Sequence, residues 1–309
     1  MNIDLCEEAL EFGRQSLRAL EAAGGDELAR VAEREPDRRD LLIAPVLDEL
    51  GAWQLDPRAG TDELEAAAAL CRSAGYWAVP YPVAERLCRP ADLDADGLVV
   101  VAGHEPAAAV GALGRRWAAV DLHGRRSLAS ARPLVTPPRH SAFVVGLDLR
   151  PVDDAGVREV ALGLVLPCWT LLGMLDRAMD LVRAHVVGRE QFGQPLAAFQ
   201  GVQFQLTDAE VERAGLCELA KYALWSIEAG RDDVLDDALA LRLAAIEAAE
   251  VVLRVAHQLH GAIGFCDEAV LSWVSRQSVP LRRLPFGLSG TRAELTRRLG
   301  RRGLSGIFG

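Results

Sequence analysis

The sequence predicts a mainly helical fold that is interrupted once by a small β module. Apolar residues recur at intervals of three and four over most of residues 1–93 and again from residue 157 onward, which is the periodicity of amphipathic helices. Between these parts, residues 97–149 carry short β-type runs separated by glycine and proline. With 309 residues, 50% of them hydrophobic, the chain is long enough to bury a large core.

The N-terminal part divides into several predicted helices. The first lies within residues 1–24, and a second, at 41–50, ends at Gly51, a residue suited to a helix C-terminus. Thr61 is predicted to cap a third helix through its hydroxyl. A short helix follows the two prolines at 80 and 82 and runs to Leu87.

The middle of the chain is predicted to form strands. Residues 99–101, 117–120 and 143–145 are short runs rich in Val, Trp and Phe, and turn residues separate them. Glycine and proline between the runs limit each strand to a few residues. We therefore expect a small sheet of about 50 residues between the two helical parts.

The C-terminal part is predicted to be a bundle of longer helices. A continuous apolar stripe runs through residues 157–189, and two further long helices are expected at about 201–230 and 234–260. Shorter ones follow at 268–276 and 289–301. Long helices with short connections favour antiparallel packing. The predicted domains are thus 1–95 (helical), 96–155 (β) and 156–309 (helical bundle).

Composition excludes several classes of function. The net charge of −10 disfavours binding to nucleic acid or to an anionic membrane, and no uncharged apolar stretch reaches the length of a membrane span. The six cysteines show no Cys-x-x-Cys spacing, so reduced thiols are expected rather than a zinc site. His257 and His260 lack accompanying acids or cysteines, which argues against a metal site. Residues 1–24 carry no signal-peptide pattern, and a cytoplasmic location is predicted.

Two motifs near helix ends carry the functional information. The first is Arg189-Glu190-Gln191-Phe192-Gly193, followed by Gln200; the planar guanidinium of Arg189 can meet two phosphate oxygens at once. The second runs from Gln258 through Gly261 to Phe265, where glycine lets a backbone approach a ligand closely. Taken singly, the first could be an arginine at a helix C-terminus and the second a glycine-rich helix end.

Together the two motifs resemble the cofactor motifs in the C-terminal helical domain of acyl-CoA dehydrogenases, flavoenzymes that desaturate acyl-CoA thioesters. The order of helices, β module and helical bundle is also similar to that family's order. The resemblance implies that Arg189 reaches the diphosphate of a flavin (FAD) held mainly by a neighbouring subunit and that Phe192 packs near its adenine. Gln200, Gln258 and Gly261 would be further flavin contacts. One departure is Ala262, where the family has a second glycine.

The resemblance also exposes a missing catalytic base. Members of the family remove the substrate α-proton with a glutamate, and this chain offers either Pro285 or Ser289 at that position, depending on the alignment. Some members use a glutamate on the preceding long helix, where Gly163 stands here. The nearest acids, Glu159 and Asp176, are interpreted as lying on solvated helix faces.

The β module is a second departure. It is about half as long as in full-length members, and only His104-Glu105-Pro106 is similar to their flavin-ring segments. A chain that lacks the base and this segment, but keeps Arg189, is interpreted as the smaller, non-catalytic subunit of a heteromeric acyl-CoA dehydrogenase. Its partner, a full-length homologue, would share FAD at a subunit interface, bind the acyl-CoA and complete a heterotetramer. Two-gene dehydrogenases of this kind resemble those that actinobacteria use on steroid-derived acyl-CoA esters, which fits the arginine-rich composition of this chain.

Two alternatives remain open from the sequence. The chain could be a self-sufficient homo-oligomeric dehydrogenase with an unconventional base such as Glu294 or Glu159. It could also be a flavin-free helical scaffold descended from the family, in which Arg189 is only structural. The first alternative requires an acid that reaches the substrate, and the second requires that no flavin contacts the chain.

Overall fold

The structure is a computed structural model that describes residues 3–133 and 143–302. Several helices precede the sheet, and those predicted at 41–50 and from Thr61 are confirmed. Their bounds are α1 (Glu7–Ala22), α2 (Glu27–Arg34), α3 (Arg39–Glu49), α4 (Thr61–Tyr76) and α5 (Val83–Leu87). The predicted cap of α4 is wrong, because Gly60 occupies the N-cap position. Thr61 is the first helical residue, and its hydroxyl donates to Glu228 on a distant helix (2.5 Å).

A five-stranded sheet follows, as the middle of the sequence predicts. Its strands are β1 (Gly97–Val101), β2 (Ala107–Ala108), β3 (Trp117–Asp121), β4 (Arg126–Arg132) and β5 (Val145–Asp153), in the order β1-β3-β4-β5-β2. β1 and β3 pair in parallel, with Gly97 opposite Trp117, and the other pairs are antiparallel. All of β1 is buried, so this edge of the sheet is covered by the helices.

The chain then returns to helices that form a bundle. They are α6 (Val157–Gly188), α7 (Gln200–Glu228), α8 (Val234–His260), α9 (Val270–Arg283) and α10 (Leu288–Arg302). A short hairpin of β6 (Glu190–Gln191) and β7 (Gln194–Pro195) connects α6 to the segment before α7. α6 is the central helix, because Leu164, Trp169 and Leu172 on it are almost fully buried. It is also the one described helix long and apolar enough to cross a membrane, and 78% of its apolar window is buried inside this protein.

Two glycines bring the N-terminal helices into backbone contact with the bundle. A Cβ atom on Gly75 of α4 would lie 1.9 Å from the carbonyl oxygen of Thr170 on α6. A Cβ on Gly173 of α6 would lie 1.9 Å from the carbonyl oxygen of Arg72 on α4. Only glycine allows so close a crossing. The crossing fixes the first helical part on the bundle and thereby sets where α5 lies relative to α6.

Candidate functional site

The two motifs meet at one end of the bundle. Arg189 directly follows α6, while Gln258 and Gly261 lie at the end of α8. The rings of His185 and His260 stack with their centroids 4.4 Å apart, which ties the last turn of α6 to the last turn of α8. Residues about 70 positions apart in the sequence thus form one surface.

A tight hairpin holds Phe192 away from the protein. Phe192 and Gly193 form the turn between β6 and β7, with φ angles of 54° and 79°. Two successive positive φ values are typical of a type I′ turn, whose twist matches the two flanking strands. Of the two turn residues, Phe192 is the one that is not glycine, so its positive φ is strained. Its side chain is 92% exposed. Its one ring contact is an edge-on approach to Phe199, with centroids 6.3 Å apart.

The polar residues of this surface are directed to solvent. Arg189, Gln200 and Gln258 are all exposed. The carbonyl of Arg189 accepts a hydrogen bond from the amide of Leu196 (2.8 Å), which fixes the backbone while the guanidinium stays outside the fold. Gln200 begins α7, where the unpaired amides of a helix N-terminus attract negative charge. The surface therefore offers donors and a positive charge to an external anion.

Gly261 ends α8 in a conformation that only glycine adopts readily. Its φ is 65°, and a Cβ placed there would meet no atom within 4 Å, so the backbone is open on that side. Ala262, which replaces the second glycine of the family motif, is exposed in the 3-10 turn Gly261–Phe265 and fits without strain. Gly264 is buried, and a Cβ there would lie 2.9 Å from the Cβ of His260.

The histidines at this surface are packing groups. The His257 ring stacks on Phe265 with centroids 4.4 Å apart, and the Nδ1–H of His260 donates to the carbonyl of Ala256 (2.8 Å). Burial lowers the pKa of His185, and the neighbouring His260 and Arg189 lower it further. Burial likewise lowers the pKa values of His257 and His260. Within residues 3–133 and 143–302, no group of three or more His, Cys, Asp or Glu is arranged to hold a metal.

The three positions for a catalytic base lie elsewhere and carry no carboxylate. Gly163 and Pro285 line one cavity of about 60 Å³, which also contacts Val100 of β1. A Cβ on Gly163 would lie 2.6 Å from a methyl carbon of Val100, so no larger side chain fits there. Ser289 is exposed in the first turn of α10.

The interpretation of Glu159 and Asp176 as solvated acids is wrong. Glu159 is 9% exposed and lies 3.4 Å from the guanidinium of Arg126, and burial raises its pKa. Asp176 accepts hydrogen bonds from Arg72 (2.7 Å) and Arg213 (2.9 Å). Both acids face neighbouring elements, β4 for Glu159 and α4 and α7 for Asp176, and tertiary ion pairs of this kind leave no local sequence pattern.

Glu294, the other alternative base, is also held in an ion pair. Arg297, one turn later on α10, donates two hydrogen bonds to its carboxylate, at 2.9 and 2.5 Å. These bonds lower the pKa of Glu294. A carboxylate stabilised in its ionised form is a weaker base.

Sequence reasoning missed Glu85. This half-buried residue of α5 lines the same cavity as Gly163 and Pro285, and burial raises the pKa of its carboxyl. The available signal was an acid next to the apolar residues Val83, Ala84 and Leu87, all of which are buried.

Comparison with known proteins identifies the bundle. A family model described as the acyl-CoA dehydrogenase C-terminal domain matches residues 164–302, which contain both motifs. Residues 164–302 thus correspond to the C-terminal domain of the acyl-CoA dehydrogenase family. A curated relative, 3-sulfinopropanoyl-CoA desulfinase from Paraburkholderia xenovorans (strain LB400), is 33% identical over 167 residues, which are 53% of this chain and 38% of that protein. The chain spans between 25% and 57% of the length of the first curated relatives that it matches.

Solved structures extend the likeness to the whole chain. The ChsE4-ChsE5 complex from Mycobacterium tuberculosis contains a chain that matches with a TM-score of 0.78 at 18% identity, covering 99% of this chain and 100% of that one. The Tcur3481-Tcur3483 steroid ACAD matches with a TM-score of 0.79 at 18% identity, over 97% of this chain and 99% of that one. The predicted acyl-CoA dehydrogenase fold is therefore confirmed.

Proposed function

We propose that this chain is the non-catalytic subunit of a heteromeric, FAD-dependent dehydrogenase that desaturates acyl-CoA thioesters. One contrast carries the proposal. The five flavin-contact residues (Arg189, Phe192, Gln200, Gln258 and Gly261) are exposed together at one end of the bundle, whereas all three base positions lack a carboxylate. The chain is thus equipped to complete a site on another subunit and not to run the reaction alone.

The length of α6 separates the base position at Gly163 from the flavin-contact residue Arg189. Gly163 lies in the second turn of α6, and Arg189 directly follows its last residue. At 1.5 Å per residue, these positions are roughly 39 Å apart along the helix. A base acts only at hydrogen-bonding distance from the proton that it removes. The cavity at Gly163 and the surface at Arg189 therefore belong to two different sites, of which only the second keeps its functional groups.

The exposed surface fits an FAD molecule that a partner holds. The guanidinium of Arg189 would bind the diphosphate, and Phe192 would pack beside the adenine. Gln200 and Gln258 would donate hydrogen bonds, and the open backbone at Gly261 would allow close approach. Bound FAD supplies the acceptor for the hydride that leaves the β-carbon of the acyl group.

The partner in this proposal is a full-length acyl-CoA dehydrogenase. It would supply the catalytic glutamate, the flavin-ring site and the acyl-CoA site, in a cytoplasmic heterotetramer. Large apolar side chains are exposed around Arg189, namely Val187, Phe192, Phe204, Ile263 and Phe265. Such a patch is typical of a protein interface. The names of the ChsE4-ChsE5 complex and of the steroid ACAD support a two-component enzyme and, as its substrate, a steroid-derived acyl-CoA.

The two alternatives have less support. Glu159 and Glu294, the bases that a self-sufficient enzyme would need, are both engaged by arginines. A flavin-free scaffold gives no role to the Phe192 side chain, which is almost fully exposed on that turn.

Substitution of Arg189 tests the proposal. We expect Arg189→Ala to weaken flavin retention in the purified complex roughly 10- to 100-fold, since a hydrogen bond to a charged group contributes about 1.5–3 kcal/mol. The matched control is Arg158→Ala, which removes an exposed arginine at the other end of α6. Flavin content is measured from the absorbance of the complex after dialysis. Equal flavin content in both variants would favour the scaffold alternative.

A further inference from the structure

The cavity at the lost base position is small and mostly apolar. It has a volume of about 60 Å³ and lies where α5, β1, β2 and the ends of α8 and α9 approach α6. Its apolar walls include Val99, Val100, Ala108, Leu164, Pro167 and Pro285. One water needs about 10–15 Å³ by this measure, so the space holds on the order of four to six non-hydrogen atoms. A complete acyl-CoA does not fit, because its CoA part alone has many more atoms than this space holds.

Two charged residues interrupt these apolar walls, Glu85 and Arg242. Arg242 of α8 is only 3% exposed, and its terminal nitrogens donate to the carbonyls of Leu281, Leu284 and Phe286 at 2.6–3.1 Å. Its Nε–H is buried and has no partner. The guanidinium therefore contacts backbone carbonyls, and no carboxylate within the described parts of the chain contributes to its pKa. A buried charge of this kind is costly unless an anion accompanies it.

A second buried arginine lies on the other side of Glu85. Arg39 of α3 is 1% exposed and lines an adjoining cavity, also of about 60 Å³, together with Glu85. It donates to the carbonyl of Gly111, its Nε–H has no partner, and burial lowers its pKa to about 10. Two buried guanidiniums, those of Arg39 and Arg242, thus lie beside the cavities that Glu85 lines.

We propose that the cavity between Glu85 and Arg242 binds a short-chain carboxylate. One carboxylate oxygen would accept the unpartnered Nε–H of Arg242, and the other would accept the proton of a neutral Glu85 carboxyl group. The alkyl part would contact the apolar walls, which favour a carboxylate of three or four carbons over an inorganic anion. The site is independent of the flavin-contact surface and does not rest on the proposed function.

Glu85 is the group that makes this binding depend on pH. Burial raises its pKa, and Arg39 opposes part of that increase. The other titratable groups around it are Arg242 and the thiols of Cys71 and Cys88. Burial raises the thiol pKa values, to about 12 for Cys88, so both thiols are harder to ionise than a free cysteine. Of these groups, Glu85 is the acid that changes charge at the lowest pH, and its raised pKa moves that change upward.

Calorimetric titration of the full chain with propionate and butyrate tests the proposal. We expect saturable binding that weakens about tenfold per pH unit once the pH exceeds the pKa of Glu85, since its ionised form repels the ligand. Hexanoate is too large for the cavity, and chloride lacks the apolar part, so neither should bind. Absence of saturable propionate and butyrate binding to the folded chain at every pH, or equal binding of chloride, would overturn the proposal.

A conservative variant separates this role from a structural one. Glu85→Gln keeps a neutral donor, so it should retain binding within a few-fold of the unsubstituted chain at pH 5 while losing the pH dependence. Glu105→Gln, at an exposed acid of the β module, is the matched control and should keep the pH dependence. If Glu85→Gln shows the same pH dependence as the control, Glu85 is not the group that contacts the ligand. Flavin retention by the complex is a separate measurement, so either proposal can fail alone.

Discussion

At the scale of single residues, Phe192 combines backbone strain with almost complete exposure. A non-glycine residue at positive φ costs on the order of 1–3 kcal/mol, and a side chain that is 92% exposed offsets little of that cost by burial. The turn gives Phe192 a fixed direction without help from the rest of the chain. The proposed flavin contact would give this exposed side chain a partner outside the monomer.

Phe192→Asn should separate stability from flavin binding. Asparagine tolerates positive φ better than phenylalanine, so the free energy of unfolding should change by less than about 1 kcal/mol. The complex should nevertheless lose flavin more readily, because the aromatic contact to the adenine is gone. Urea titration of the chain and absorbance of the dialysed complex measure the two effects. A complex that retains flavin as well as the unsubstituted protein would show that Phe192 makes no such contact.

Glu85 should make the stability of the chain depend on pH. Its pKa is raised in the folded state, so folding is most favoured while the carboxyl is neutral, below its unfolded pKa of about 4.3. Stability is then lost as the pH rises through the folded pKa. Glu85→Gln removes this loss, so the variant should gain in free energy of unfolding relative to the unsubstituted chain as the pH increases. Urea titrations at pH 5 and pH 8 that give the same difference would contradict it.

The sequence identified some of these residues and missed others for a physical reason. Arg189 and Gln258 stand in short local motifs, so the chain order alone reveals them. Glu85 acquires its surroundings from α6, α8 and the sheet, and Glu159 is paired with Arg126 of β4. Contacts between distant segments depend on the packed fold and leave no periodic pattern.

At the scale of elements, the crossing of α4 and α6 joins the N-terminal helices to the C-terminal bundle. Gly75 and Gly173 face the opposite backbone at distances that exclude any side chain. The helices α4, α6 and α8 supply much of the buried core, including Leu70, Leu172 and Leu253. A change at the crossing therefore acts on both helical parts at once.

Gly173→Ala should destabilise the chain by about 1–3 kcal/mol or more, because the added methyl group meets the carbonyl of Arg72 and forces α4 away from α6. The matched control is Gly215→Ala on α7, where a Cβ meets no atom within 4 Å. That substitution should stabilise the chain by about 0.5–1 kcal/mol through helix propensity. Thermal unfolding of both variants measures the difference. Equal melting temperatures would mean that the crossing is wider than described.

Helix periodicity predicted the long elements well, and the ends of short elements poorly. The predicted helix at 268–276 extends to Arg283 in the structure, through Pro280. Proline usually ends a helix, since it lacks an N–H and crowds the preceding turn. Here the guanidinium of Arg242 on α8 donates hydrogen bonds to the carbonyls of Leu281 and Leu284 at the end of the helix. That support comes from another element, so a local pattern does not contain it.

At the scale of the whole molecule, we propose that this chain contributes to a flavin site that another subunit completes. One end of the bundle exposes Arg189, Phe192 and Gln258 to a flavin that another subunit would hold. The cavity at Gly163, in contrast, is too small for a complete acyl-CoA, and neither Gly163 nor Pro285 supplies a carboxylate. In a symmetric dimer of this chain neither site would be complete. In a complex with a full-length homologue, the homologue's flavin site would be complete.

The visible spectrum and the solution mass of the chain test whether it is a subunit that shares a flavin. Both are measured on the chain purified alone and on the chain co-expressed with a full-length acyl-CoA dehydrogenase encoded beside it. We expect the chain to be colourless alone and to form a larger, yellow complex after co-expression. That outcome would show a complex that contains flavin, and loss of this flavin from the Arg189→Ala complex would place this chain in contact with it. A yellow chain that oxidises acyl-CoA alone would contradict the account and return attention to Glu294, Glu159 and Glu85 as bases.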